Sequence, residues 1–125
     1  MQALQDLTIV DISGTIATCY SAKLFADYGA QVFNFEPEEG FPTRKIKPFI
    51  PDTKESAMHG YLNTNKKSVN TLKPEELQIA DLVIYDQSVD QIDESTIQTN
   101  TSAISWFGKT GPYHQFKGSD AMIQS

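Results

Sequence analysis

The sequence predicts an α/β fold, a Rossmann-like parallel sheet with flanking helices, and three observations carry that prediction. Residues 7–37 read in one pass as strand, tight turn, helix, glycine stop and second strand. Apolar runs of strand length then recur, separated by helical or long connections rather than by hairpin turns. Three turns, at residues 13–18, 86–88 and 107–111, each follow such a run, which in a parallel sheet places them on one rim where ligands gather.

The elements follow in order. Residues 7–12, Leu-Thr-Ile-Val-Asp-Ile, form a short apolar run that ends at Ser13-Gly14-Thr15. Ile16, Tyr20 and Leu24 recur one turn apart, the spacing of an amphipathic helix. Gly29 stops that helix, because glycine takes the left-handed conformation without a Cβ penalty. Residues 31–35 continue as a β-branched and aromatic strand. Residues 36–60 hold Pro37, Pro42, Pro48 and Pro51, which forbid a continuous helix and predict a long excursion. Residues 68–72 are a short strand, and Pro74-Glu75-Glu76 opens a helix with proline early and acids near the positive end of its dipole. Residues 80–85 make a third strong strand, and residues 104–107 a further one bounded by Gly108. The 125 residues fit one domain or part of one, spanning 1–125.

Composition excludes several classes. A formal net charge of −6 argues against a nucleic-acid binder, which needs a basic surface. The single cysteine, Cys19, excludes an internal disulfide framework and reads as a buried small hydrophobe rather than a nucleophile. No basic n-region with an apolar run is visible, no segment has the length of a membrane span, and a cytoplasmic protein is expected. Positive charge concentrates at Arg44, Lys45, Lys47 and Lys54, at Lys66, Lys67 and Lys73, and at Lys109 and Lys117. These clusters are either solvated surface or contacts for ligand phosphates. Gly108-Lys109-Thr110 lacks the earlier glycine of a P-loop, since Ala103 stands there. His59 and His114 have no cysteine or carboxylate at metal-ligand spacing, so no metal site is expected. The turn after the first strand either caps the helix or offers its free amides to an anion.

Four segments in order resemble the class III CoA-transferases, the family of formyl-CoA:oxalate CoA-transferase, carnitine-CoA transferase and α-methylacyl-CoA racemase. They are the first strand and turn, residues 24–37 (Leu-Phe-Ala-Asp-Tyr-Gly-Ala-Gln-Val through Glu36-Pro37), Asn63-Thr64-Asn65-Lys66-Lys67-Ser68-Val69, and residues 107–113. The resemblance covers essentially the whole chain. It implies coenzyme A or an acyl-CoA as substrate together with a small carboxylic acid, no resident cofactor, and an interlocked homodimer. It implies CoA contacts at Ile16 and Ala17 in the first loop, and at Thr71, Leu72 and Lys73 after the Asn-Lys segment. It also implies contacts at Asp86, Gln87 and Ser88 in the turn after the third strong strand, and at Lys117 and Asp120 before the last helix. Lys117 is either a phosphate contact or an exposed loop lysine.

The chain departs from the family at Ala17-Thr18-Cys19, where Ala-Gly-Pro is usual, and at Asp86-Gln87-Ser88, where an asparagine, an aromatic and a basic residue are usual. An acidic turn repels phosphate. The family's aspartate nucleophile lies beyond Asp120, so no catalytic residue is expected in residues 1–125, and these are read as the N-terminal piece of a longer enzyme. The alternatives are a 2-methylacyl-CoA racemase, which moves a proton beside the thioester, and a noncatalytic assembly domain with the same fold.

Overall fold

The computed structural model describes residues 3–69, 80–86, 100–105 and 110–112. Strand β1 (Thr8–Asp11) leads through a turn into helix α1 (Ile16–Asp27) and strand β2 (Gln31–Phe35), as the apolar spacing and Gly29 require. Gly29 sits at φ 103°; its amide donates to the Ala26 carbonyl, and the Ala30 amide donates to Phe25, each at 3.0 Å. That double closure is a Schellman motif, which satisfies carbonyls the helix end leaves open.

A 3-10 turn (Pro42–Lys45), helix α2 (Ala57–Leu62) and strands β3 (Lys66–Val69), β4 (Leu82–Asp86) and β5 (Asn100–Ile104) complete the described elements. All strand pairs are parallel, in the order β3-β2-β1-β4-β5. The expected parallel α/β sheet is what the chain forms.

On one face of the sheet, Ile9, Val32 and Ile84 pack against Ala22, Ala26 and Ala30. On the other face, Val10, Ala80 and Val83 gather Ile12, Phe33 and Phe35. A third cluster of Cys19, Phe41 and Leu62 pins the long excursion after β2 to α1 and α2.

The structure corrects four sequence expectations. The buried face of α1 is Thr18, Cys19, Ala22 and Ala26, of which Ala22 and Ala26 pack on the sheet, whereas Ile16, Tyr20 and Leu24 point outward, 50%, 49% and 46% exposed. Close approach to the sheet favours small side chains, so the bulky stripe is not the buried one. Helix α2 lies inside the stretch expected to hold only a loop; Ser56 caps it, its Oγ accepting the His59 amide at 3.2 Å. The strand expected at residues 68–72 begins at Lys66, with residues 70–72 outside the described residues. The strand expected at residues 104–107 shares only Ile104 with β5, which starts at Asn100 because its polar residues pair along β4 from Leu82 to Asp86. The helix expected from Pro74 lies outside the described residues.

Candidate functional site

The candidate site begins where β1 ends. Asp11 is fully buried, and its Oδ1 accepts the amides of Ser13 at 3.0 Å and Gly14 at 3.1 Å, folding the chain into a side-chain-closed turn. Gly14 adopts φ +67°, and a Cβ there would overlap the ring of the fully buried Phe41. Only glycine meets both demands.

Thr15 then caps α1 reciprocally: its Oγ1 accepts the Thr18 amide at 3.4 Å, while Thr18 Oγ1 accepts the Thr15 amide at 3.1 Å. Thr18, one of the departures from the family pattern, thus supplies half of the cap. Ile16 and Ala17 follow as exposed residues in the first helical turn, where amides lack acceptors within the helix.

The end of β4 meets this turn. Ser13 Oγ accepts the Asp86 amide at 2.8 Å, and the Ile12 amide donates to the Ile84 carbonyl at 3.2 Å. Three of the expected site residues, Ile16, Ala17 and Asp86, therefore stand on one rim. Thr71, Leu72, Lys73, Gln87, Ser88, Lys117 and Asp120 lie outside the described residues.

Beside this rim an open cavity of about 510 Å³ is lined by Ile12, Ser13, Phe35, Pro37, Glu39, Gly40, Pro42 and Lys45. None of these was among the expected contacts. Lys45 belongs to a basic cluster the sequence does show, but the apolar wall of Ile12 and Phe35 emerges only from the alternation of β1 and β2 in three dimensions.

The neighbouring polar residues do different work. Glu36 is buried and accepts from Arg44 Nε at 2.9 and 3.1 Å, from Arg44 Nη2 at 2.8 Å and from Ser68 Oγ at 2.9 Å. Burial raises its pKa, but the bonds from Arg44 and Ser68 outweigh that and hold the carboxylate below its ordinary value.

Asn63 is the hub of a second set. Its Oδ1 accepts from Asn34 Nδ2 at 2.8 Å and from Lys66 Nζ at 3.2 Å, and Lys66 Nζ also donates to the Cys19 carbonyl at 2.8 Å. Because ammonium only donates, Lys66 fixes which amide atom of Asn63 faces it. Asn63 Nδ2 then donates to His59 Nδ1 at 3.1 Å, alongside the Thr43 hydroxyl at 2.7 Å. His59 is therefore the neutral tautomer with its proton on Nε2, and burial with the Arg44 charge lowers its pKa.

The Asn-Thr-Asn-Lys-Lys-Ser segment has a structural part at most of its positions, Thr64 Oγ1 donating to the Gly60 carbonyl at 2.9 Å. Asn63 is the hub, Asn65 turns the chain at φ 66°, Lys66 staples β3 to α1, and Ser68 holds Glu36. Lys67 is exposed, its ammonium 5.9 Å from the Phe33 ring centre.

Cys19 is fully buried, and desolvation with the nearby Asp11 charge pushes its thiol up to about 12, which leaves no thiolate for nucleophilic chemistry. Among the described residues no group of three or more His, Cys, Asp or Glu is arranged to hold a metal ion, and no helix is long and apolar enough to cross a membrane.

A family model described as CoA-transferase family III matches residues 4–83. The chain belongs to CoA-transferase family III. Within that family, it is 38% identical over 72 residues to succinyl-CoA:mesaconate CoA-transferase of Haloarcula hispanica, covering 55% of this chain and 18% of that protein. It is 25% identical over 134 aligned residues to succinyl-CoA:(R)-benzylsuccinate CoA-transferase subunit BbsE of Thauera aromatica, covering 90% and 32%. The solved structure of a CAIB/BAIF family protein from Brucella suis superposes with a TM-score of 0.83 at 25% identity, over 98% of this chain and 38% of that one. A Mycobacterium tuberculosis protein shares the fold at a TM-score of 0.77 and 20% identity, over 98% of this chain and 39% of that one. The chain thus spans about a fifth to a third of the length of the two curated relatives.

Proposed function

We propose that this chain is the N-terminal CoA-binding segment of an acyl-CoA:carboxylate CoA-transferase. The observation that carries the reading is the shared rim. The exposed Ile16-Ala17 turn, the Asp86 turn bonded to it through Ser13, and the cavity of about 510 Å³ meet at the carboxyl ends of β1, β2 and β4. Open parallel sheets bind their ligands at such an edge. First-turn amides of α1 and the Lys45 ammonium supply donors for the phosphates of CoA, and Ile12 with Phe35 supplies an apolar wall for its uncharged part.

In this reading the nucleophile is an aspartate beyond Ser125. Its carboxylate attacks the thioester carbonyl, the carbon–sulfur bond breaks, CoA leaves as thiolate, and a mixed anhydride remains. The thiolate attacks the aspartyl carbonyl, releasing the first acid as its carboxylate and leaving an aspartyl-CoA thioester. The acceptor carboxylate then runs the same two exchanges in reverse, which splits one hard transfer into easier steps. Asp11 is unsuited to that role, being sealed from solvent with Oδ1 bound to two amides.

A cytoplasmic homodimer belongs to the same proposal. The outward stripe of Tyr20, Leu24 and Tyr28, with Tyr61 beside it, supports an association surface, since all four are between 46% and 64% exposed. The names of the two curated relatives suggest succinyl-CoA as the first donor to test, with mesaconate and benzylsuccinate as acceptors. The test is a CoA-ester assay on the full-length protein, with hydroxylamine used to trap an activated aspartate for mass spectrometry. Transfer together with one modified aspartate downstream of Ser125 is the expected result. Absence of both saturable CoA binding and ester exchange across a panel of carboxylic acids overturns the reading.

A further inference from the structure

We propose that Asp11 is the positioning residue of the CoA-contacting rim, shaping through its Oδ1 the turn that presents Ile16 and Ala17 and that aims Ser13 at the Asp86 amide. The proposal rests on the CoA-binding reading above and adds to it a residue that does not itself touch CoA.

Three features of the site carry the inference. The first is how few bonds this carboxyl makes. Asp11 lies at the end of a central strand, fully buried, and no cation among the described residues bonds to it, because the Lys66 ammonium is directed to the Cys19 carbonyl and Asn63 Oδ1. Burial raises its pKa, so a charge there opposes folding. A carboxyl so placed is of little use to stability; what it does is gather two successive amides, Ser13 at 3.0 Å and Gly14 at 3.1 Å, onto one oxygen.

The second feature is transmission. With both amides held, Gly14 is drawn to φ +67° over the Phe41 ring, Thr15 arrives in position to cap α1, and Ser13 Oγ reaches the Asp86 amide at 2.8 Å. The turn after β1 and the end of β4 are thereby set relative to each other by one upstream side chain. A ligand spanning both turns senses their spacing, and small misplacements of contacting groups are costly in binding and rate.

The third feature is the other oxygen. Asp11 Oδ2 is buried without a hydrogen-bond partner, and so is Oδ1 of Asn34, its neighbour in the β1–β2 register. Asparagine at position 11 retains the Oδ1 acceptor and removes the charge from a buried oxygen that lacks a partner. If position 11 acts by geometry, Asp11→Asn keeps its function; if it acts by charge or proton transfer, Asp11→Asn destroys it.

The experiment measures CoA binding by calorimetry and steady-state kinetics for acyl-CoA and acceptor acid on the full-length protein and its Asp11→Ala, Asp11→Asn and Ser13→Ala variants. Asp11→Ala is expected to raise KM for the acyl-CoA about tenfold or more while leaving KM for the acceptor acid unchanged. Asp11→Asn is expected to stay within about twofold of the parent, and Ser13→Ala to raise the acyl-CoA KM by about three- to fivefold. An unchanged acyl-CoA KM in Asp11→Ala overturns the proposal, as does an Asp11→Asn variant that behaves like Asp11→Ala. Should Asp11→Ala not fold, Ser13→Ala decides: a selective rise in acyl-CoA KM supports the proposal and parental kinetics overturn it. Failure of the parent protein to bind CoA overturns the function reading and this proposal together, whereas normal parental binding with an indifferent Asp11→Ala overturns this proposal alone.

Discussion

Two polar regions lie within a few residues of each other at the carboxyl end of this sheet, and they are built on opposite terms. Around Glu36, Asn63 and Lys66 nearly every polar atom has a protein partner, and the charged groups are turned inward. Along the rim of β1 and β4 the side chains are few and small, and backbone amides with a cavity wall form the surface. Basic residues near the proposed CoA site are therefore poor guides to ligand contacts: Arg44 and Lys66 hold the scaffold, while Lys45 lines the cavity. Residues in the network should govern stability with little effect on CoA affinity, and side chains facing the cavity the reverse.

The largest expected effect is at Gly14, where the turn has no room for a side chain. Gly14→Ala forces a side chain into a left-handed conformation and against Phe41, for a loss of about 2–5 kcal/mol. Urea unfolding of the full-length protein measures it, and a parental midpoint contradicts the strain assigned there. Next is Lys66→Ala, which removes two charge-assisted bonds from the network at a cost of about 2–4 kcal/mol. If the folded fraction of that variant binds CoA with parental affinity, the comparison between the regions is sharpened; a large loss of affinity breaks it.

Acid should weaken the network in two stages. The folded pKa of His59 is below 6.5, so its neutral form is favoured by folding; that stability is complete above the unfolded value and declines as pH falls below about 6.5. Glu36 is held below 4.5, so its contribution is present above that value and is lost as pH falls through the lower folded pKa. Each stage contributes a slope of at most about 1.4 kcal/mol per pH unit. Thermal midpoints from pH 8 to 3 should show both, and His59→Gln should remove the first alone. The smallest effect belongs to the cavity: Lys45→Ala should weaken CoA binding by about three- to tenfold, within the range of one partly exposed charge contact, without moving the unfolding midpoint. A calorimetric titration beside a melting curve checks both halves of that statement.

Much of this fold was legible because its central elements are local. Strand β1, the turn, α1, Gly29 and β2 are each specified by neighbours in sequence, and β4 is a run of apolar residues buried on both faces. Helix α2 was hidden because it is only six residues long and holds Gly60 amid proline and charge; its support is Ser56 at one end and Leu62 underneath. The Ile16-Tyr20-Leu24 spacing does not mark the buried face of α1, because contact with the sheet selects alanine, and Cys19 packs on Phe41 and Leu62. Strand β5 is pinned by its partner rather than by its own polar residues.

In the candidate site, Ile16, Ala17 and Asp86 could be named from family resemblance, and the structure adds that the first loop and the end of β4 are bonded together. The role of Asp11 had no signal in the linear sequence, where it is one acid in an apolar run. Its meaning depends on two amides and a burial that only the folded chain displays.

The bond from Ser13 to position 86 ends on a backbone amide, and this has a consequence for how the edge can be re-engineered. Every amino acid except proline carries that hydrogen. The bond to Ser13 and the charge that position 86 shows a ligand are thus independent variables. Replacing the aspartate by lysine should reverse the local charge, and by asparagine remove it, while this bond to Ser13 is retained, which makes position 86 a dial for charge.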